Sequence, residues 1–197
     1  CWTYIDIDIV PPSLLNIKVG KILQCQRHKN ADKLYVSQIQ IEENPIEDNE
    51  NIEAKIVQVC SGLVDFIPIE QMKDRKVAVL ANLKASKQRG VKSEAMLLAV
   101  EKSFGSDAEL SDAKVELINP PRNAKVGQKL YFDHFVSDEF PSKLKSKAWQ
   151  EIQKHLKTTV TGEAAYVTDE GKACLLKTID HASESAYADT LTDGIIR

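Results

Sequence analysis

The residues best equipped for chemistry lie in one stretch, Asn82-Leu83-Lys84-Ala85-Ser86-Lys87-Gln88-Arg89-Gly90-Val91-Lys92-Ser93-Glu94-Ala95-Met96. Cations alternate there with small residues around a glycine. An arginine guanidinium clamps a phosphate through two parallel hydrogen bonds, and a lysine ammonium supplies a mobile point charge. Asn82 and Ser93 add neutral groups able to reach a phosphate or a ribose 2′-hydroxyl. The chemistry on offer is the holding of a polyanion. Charge alone does not decide it, because most basic runs are solvated turns. The placement of charge sharpens the case. Residues 73–92 carry seven basic side chains and one acid within a chain of net charge −3, whereas residues 42–53 carry six acids and no base. Screening confines fields to about 8 Å at physiological salt, so the local excess governs what approaches this segment.

Bond-breaking chemistry leaves no matching signature. The chain has no G-x-x-x-x-G-K-[ST] loop, no G-x-G-x-x-G turn and no G-x-S-x-G elbow. His28, His134, His155 and His181 lack metal-ligand spacing, and Cys1, Cys25, Cys60 and Cys174 contain no C-x-x-C pair. Cys60 precedes Ser61-Gly62 at a strand end, where a buried structural thiol is expected. No enzymatic activity, metal or cofactor is expected. Scattered cysteines and the lack of Asn-x-Ser/Thr acceptors point to a reducing, cytoplasmic setting. No apolar run reaches the length of a bilayer span and no signal peptide is visible, so no membrane partner is expected. The opening on Cys1 in place of methionine predicts a fragment of a longer protein.

The elements that carry the basic segment read as short strands. Residues 1–13 alternate apolar and acidic before Pro11-Pro12 and predict a linker or an edge strand. Strands are expected at 17–26, 34–41, 55–60, 76–80, 95–100 and 114–118, with a helical turn at 68–72. Residues 42–53 read as a long solvated loop and 84–92 as a loop between two apolar strands. Five or six short strands with one small helix predict a mainly β fold, an OB-type Greek-key barrel rather than a sandwich. Beyond Pro120-Pro121 and Tyr131-Phe132 the composition changes. Pro141-Ser142 offers a cap for a helix over 143–157 with Leu144, Ala148, Trp149, Ile152 and Leu156 on one face, and Trp149 is expected in the core. Strands are expected at 158–167 and 173–178 around an Asp169-Glu170-Gly171 turn, and the last 16 residues read as polar and uninformative. The expected division is a linker at 1–13, a barrel at 14–136 and a smaller α+β domain at 137–197.

The spacing Asn82-Leu83-Lys84-x-x-Lys87-x-Arg89-Gly90-Val91-x-Ser93-x-Ala95-Met96 resembles the signature loop of the tRNA-binding domains typified by endothelial monocyte-activating polypeptide II. That family includes appendages of tyrosyl-, methionyl- and lysyl-tRNA synthetases. Further matches follow in register at His28-x-x-Ala31-Asp32-x-Leu34-Tyr35-Val36, Val59-x-Ser61-Gly62-Leu63-Val64, Pro68-x-Glu70-Gln71-Met72, Pro120-Pro121 and Trp149-x-x-Ile152-Gln153. The likeness spans about residues 15–178. It implies an OB barrel that grips the outer corner of tRNA, and a C-terminal domain that imitates a dimer interface and keeps the protein monomeric. It further implies delivery of tRNA to a synthetase attached in cis or associated in trans. By position, Asn82, Lys84, Lys87, Arg89 and Ser93 meet the RNA and Met96 sits at the same rim, with Ser61 and His28 in neighbouring motifs. The acidic run 42–53 and the segment 102–113 look longer than in the family, and the family's upstream lysine-rich stretch is missing, which implies weaker affinity. The family also includes secreted cytokines. The segment tied to that activity matches only loosely at Lys18–Gln24, which reads as the first barrel strand. A protein-interaction module docking through the acidic loop and a single-stranded nucleic-acid binder are the remaining alternatives. The second is disfavoured because the basic loop has no aromatic to stack on a base.

Overall fold

The computed structural model describes residues 10–42, 55–104, 112–181 and 183–197. The expected linker or edge strand before residue 10, the acidic run from residue 43 and the centre of the 102–113 segment lie outside the described residues. After a single 3-10 turn at Pro12–Leu14, strands β1 (Ile17–Arg27), β2 (Tyr35–Gln40) and β3 (Ile56–Ser61) form an antiparallel meander. A four-residue helix α1 (Ile69–Met72) leads into β4 (Lys76–Leu80). Then come β5 (Ser86–Gln88), β6 (Val91–Ser93), β7 (Met96–Leu97), β8 (Ala99–Phe104), β9 (Asp112–Leu117) and β10 (Lys129–Phe132). Helix α2 (Ser146–Gln153) precedes β11 (Leu156–Thr158), β12 (Ala164–Val167), β13 (Ala173–Lys177) and β14 (Ile195–Ile196). Among the described residues the fold is mainly β. Twelve strands join one antiparallel sheet, and β5 and β6 form a separate two-stranded ribbon.

β1 organises the molecule. Its first half pairs with β4, and at Ile17 and Lys18 also with β10, while its second half pairs with β2. A register shift between Ile22 and Gln24 bends the strand where it changes partners. Gly20 sits at the crossing: a β-carbon there would come within 2.8 Å of both the Ile39 and the Val79 methyl groups, so the close approach requires glycine. β4 is buried on both faces, as its unbroken Val77-Ala78-Val79-Leu80 run demands. Val77 and Val79 enter a cluster with Ile22, Tyr35, Ile39, Val59, Met72 and Leu97. Ala78 and Leu80 enter a second cluster with Ile17, Val19, Leu130, Leu144, Ile152, Tyr166 and Leu176. The second cluster draws on both halves of the chain.

Several sequence expectations are corrected. The segment 84–92 is not an open loop but contains the β5–β6 ribbon. The single strand expected at 95–100 breaks at Leu98, whose N–H donates to Ala78 and whose carbonyl accepts from Ile118, leaving β7 and β8 on different partners. The strand expected at 158–167 is two strands, with Gly162 at φ +86° in the turn between them. The helix expected at 143–157 is shorter: Leu144 lies before it, forming a parallel bridge with Leu83, and Lys145 precedes it without a side-chain cap. Trp149 is half-buried against the core, and Ile152 takes the fully buried position. The terminal segment is far from uninformative. Ala186, Ala188, Leu191 and Ile196 are buried, β14 joins β8 to β11, and Glu116 accepts hydrogen bonds from the Thr190 and Leu191 N–H groups at 2.9 and 2.8 Å. Among the described residues no helix is long and apolar enough to cross a membrane.

Candidate nucleic-acid interface

The basic ribbon turns at Arg89-Gly90, with φ of +52° and +87°. Positive φ at both central residues gives the primed two-residue turn, whose twist matches the flanking strands. Glycine takes such a φ freely, whereas arginine bears a modest strain. The register sets Lys87 directly opposite Lys92. Like charges opposed across a ribbon repel, so the arrangement costs stability unless an anion lies between or above them. Lys84, Lys87, Arg89 and Lys92 are all exposed, and none is paired with a carboxylate among the described residues.

Neutral residues hold this ribbon in place. His28 is buried beneath the ribbon. Its Nδ1 accepts from the Asn30 N–H at 2.9 Å, which leaves Nε2 carrying the proton that it donates to the Gln88 carbonyl at 3.0 Å. The Gln58 carboxamide donates to the Lys92 carbonyl at 2.8 Å. Ser93 is buried, its Oγ accepting from the Cys60 N–H at 3.0 Å and donating to the Ala95 carbonyl at 3.2 Å. Asn82 is 2% exposed. Its Oδ1 accepts from the Asn16 N–H at 3.0 Å and its Nδ2 donates to the Leu14 and Pro141 carbonyls at 2.9 and 3.0 Å. Asn82 and Ser93, both expected to meet RNA, direct these polar atoms to the backbone inside the fold. Met96 lies partly buried on β7, and Ser61 ends β3, its Oγ buried without a partner among the described residues. Burial pushes the Cys60 thiol up from its ordinary range, as fits an inert structural cysteine.

The structure also gathers cations that sequence reasoning passed over. Because His28 ties the 27–34 turn to Gln88, exposed Arg27, Lys29 and Lys33 stand beside the ribbon, Lys33 in a loose pair with Asp65 at 3.7 Å. The signal lay in the motif itself, where Arg27 and Lys29 bracket the histidine. On the other flank the Leu144 N–H donates to the Asn82 carbonyl at 2.6 Å, so exposed Lys143 and Lys145 extend the surface that begins at Lys84. The segment Lys18–Gln24 lies within β1, paired with β4 and β2, with Val19, Gly20 and Ile22 buried and Leu23 and Gln24 exposed. No group of three or more metal-ligating side chains occurs among the described residues.

The model of the tRNA binding domain family matches residues 17–129, more than half of the chain. The chain belongs to that family. As a tRNA-binding domain it is 40% identical over 144 residues to the tRNA-aminoacylation cofactor arc1 of Schizosaccharomyces pombe, covering 72% of this chain and 28% of that protein. It is 34% identical over 164 residues to the mouse aminoacyl tRNA synthase complex-interacting multifunctional protein 1, covering 82% and 46% respectively. A cytoplasmic methionine–tRNA ligase of Arabidopsis thaliana shares 37% identity over 155 residues, 77% of this chain and 17% of the ligase. The chain thus spans less than half the length of these curated relatives. Among solved structures it is similar to the C-terminal domain of Plasmodium vivax p43, with a TM-score of 0.73 and 27% identity over 96% of this chain and 100% of that one.

Proposed function

We propose that this chain is a non-catalytic module that holds tRNA by its folded shape and presents it to an aminoacyl-tRNA synthetase, in the same polypeptide or in a cytoplasmic complex. The observation that carries the reading is the ribbon: four exposed cations without carboxylate partners among the described residues, two of them opposed, on a scaffold pinned by His28, Asn82 and Ser93. Such a surface grips a sugar–phosphate backbone without reading bases, which selects for contour rather than sequence. Lys84, Lys87, Arg89 and Lys92 form its centre. Arg27 and Lys29 lie on one flank and Lys143 and Lys145 on the other, while Met96 and Ser61 line the rim.

Residues 14–136 are read as an OB barrel. The order β3-β2-β1-β4-β7 supports this, together with the Glu94 N–H that donates to the Gln58 carbonyl at 2.7 Å and carries the chain back to β3. Residues 137–197 cover the apolar face of β4 and β10, the role a second copy would otherwise take, and so keep the protein monomeric. Tethering raises the effective concentration of tRNA at the synthetase and lowers its apparent KM with little change in the chemical step.

Titration of tRNA against the wild type and a Lys84/Lys87/Arg89→Ala variant tests the reading. With about four phosphates neutralised, the log–log salt slope of the wild type is expected to be on the order of −3, and that of the variant near −1. The variant is expected to bind at least about tenfold more weakly at low salt, with stability within about 0.5 kcal/mol because the three side chains are exposed. Equal affinity and equal slope would refute the assignment.

A further inference from the structure

Beside the ribbon lies a cleft of about 320 Å³ between the end of β3, Gln88 and the β7–β8 corner, and backbone gripping alone leaves it unused. Its wall combines Leu63 and Met96 with the ring of Phe66, which is 42% exposed. The polar side chains are few, and two of them are unengaged. The Ser61 hydroxyl is buried without a partner, and the Gln88 carboxamide, able to donate and to accept, has none among the described residues. Arg197 closes one side, held 3.4 Å from Glu101.

We propose that this cleft takes one unstacked nucleobase of the RNA held by the ribbon, stacked on Phe66 and hydrogen-bonded along its edge by Gln88. The proposal rests on the RNA-binding reading above. Three features support it. The volume falls in the range of small-ligand sites, and an apolar wall with a few convergent polar groups is the usual make-up of such sites. Phe66 supplies the aromatic surface that the basic segment lacks, and every base has a face that stacks on it. Finally, Gln88 lies between Lys87 and Arg89 in the chain, so a base turned toward Gln88 leaves its neighbouring phosphates beside those two cations. Shape-selective gripping then gains an added term for RNAs whose folded corner offers an extruded base.

The experiment measures binding of unfractionated tRNA to the full chain for the wild type, Phe66→Ala, Phe66→Trp, Gln88→Ala and the ribbon variant with Lys84, Lys87 and Arg89 changed to alanine. Stacking of one base predicts that Phe66→Ala weakens binding by about five- to a hundredfold with an unchanged salt slope, while Phe66→Trp retains or exceeds wild-type affinity. Gln88→Ala is expected to weaken binding to a smaller degree, also without changing the slope. Bound tRNA should quench the indole emission that the Phe66→Trp substitution introduces. Melting curves establish that each variant is folded, which is expected because Phe66 is half-exposed. Unchanged affinity in Phe66→Ala and Gln88→Ala beside a weakened ribbon variant overturns the cleft and leaves the ribbon reading standing. Unchanged affinity in the ribbon variant overturns the reading on which the cleft depends.

Discussion

Asn82 and Ser93 show how one side-chain chemistry serves two ends. A carboxamide or hydroxyl beside lysines suits a phosphate, and it suits a buried carbonyl equally well. The sequence places both residues in the right motif but carries no sign of which face of the chain they occupy. In the fold, Asn82 at 2% exposure satisfies one N–H and two carbonyls from two segments distant in sequence, Leu14–Asn16 and Pro141. Asn82→Ala is expected to cost about 2–3 kcal/mol in urea unfolding, because three backbone groups lose their partner in a dry site. Its effect on tRNA affinity should fall away under conditions where the variant remains folded. Lys84, Lys87 and Arg89 were legible because charge is rarely buried, so their exposure followed from type alone. The turn they ride on was not, since arginine is an unusual occupant of a positive-φ position.

Strands with strict alternation, such as Tyr35–Gln40, and the continuously apolar β4 were readable because their patterns report one buried face or two. The C-terminal segment was not readable, because its few apolar residues are buried by partners distant in sequence. Glu116 on β9 is its main polar anchor. Burial alone would raise the carboxyl of Glu116. The hydrogen bonds from the Thr190 hydroxyl and from the Thr190 and Leu191 N–H groups, with Arg75 nearby, outweigh burial and hold it below the usual range. A carboxylate lowered on folding lends stability that is fully present above its unfolded pKa and is lost as pH falls through the folded value. Wild type is therefore expected to melt above Glu116→Gln at pH 7, and the gap should close as pH drops below the ordinary carboxylate range. A gap that persists at pH 3 would contradict the role given to the charge.

At the scale of the whole molecule, the expected boundary near residue 137 separates two stretches of chain that share one apolar cluster, with Ile17, Leu80 and Leu130 from one side and Leu144, Ile152 and Tyr166 from the other. Composition marks where sequence character changes, but it does not report which faces meet. A chain limited to residues 14–136 would expose those side chains to water at a cost of about 25 cal/mol for each Å² uncovered. It is expected to self-associate or precipitate in sedimentation experiments at concentrations where the full chain is a single species. A monomeric, cooperatively melting 14–136 piece would show that the shared cluster is dispensable. The strand enclosed by both clusters has one further consequence. β4 is buried on both faces and lies five residues before the ribbon, so the amide protons of Val77–Leu80 should be among the slowest in the chain to exchange with deuterium. The ribbon therefore follows a strand held from both faces. On the proposed reading the ribbon would act as a fixed gauge against which an RNA either fits or fails, with little of its selectivity arising from the protein moulding itself around its guest.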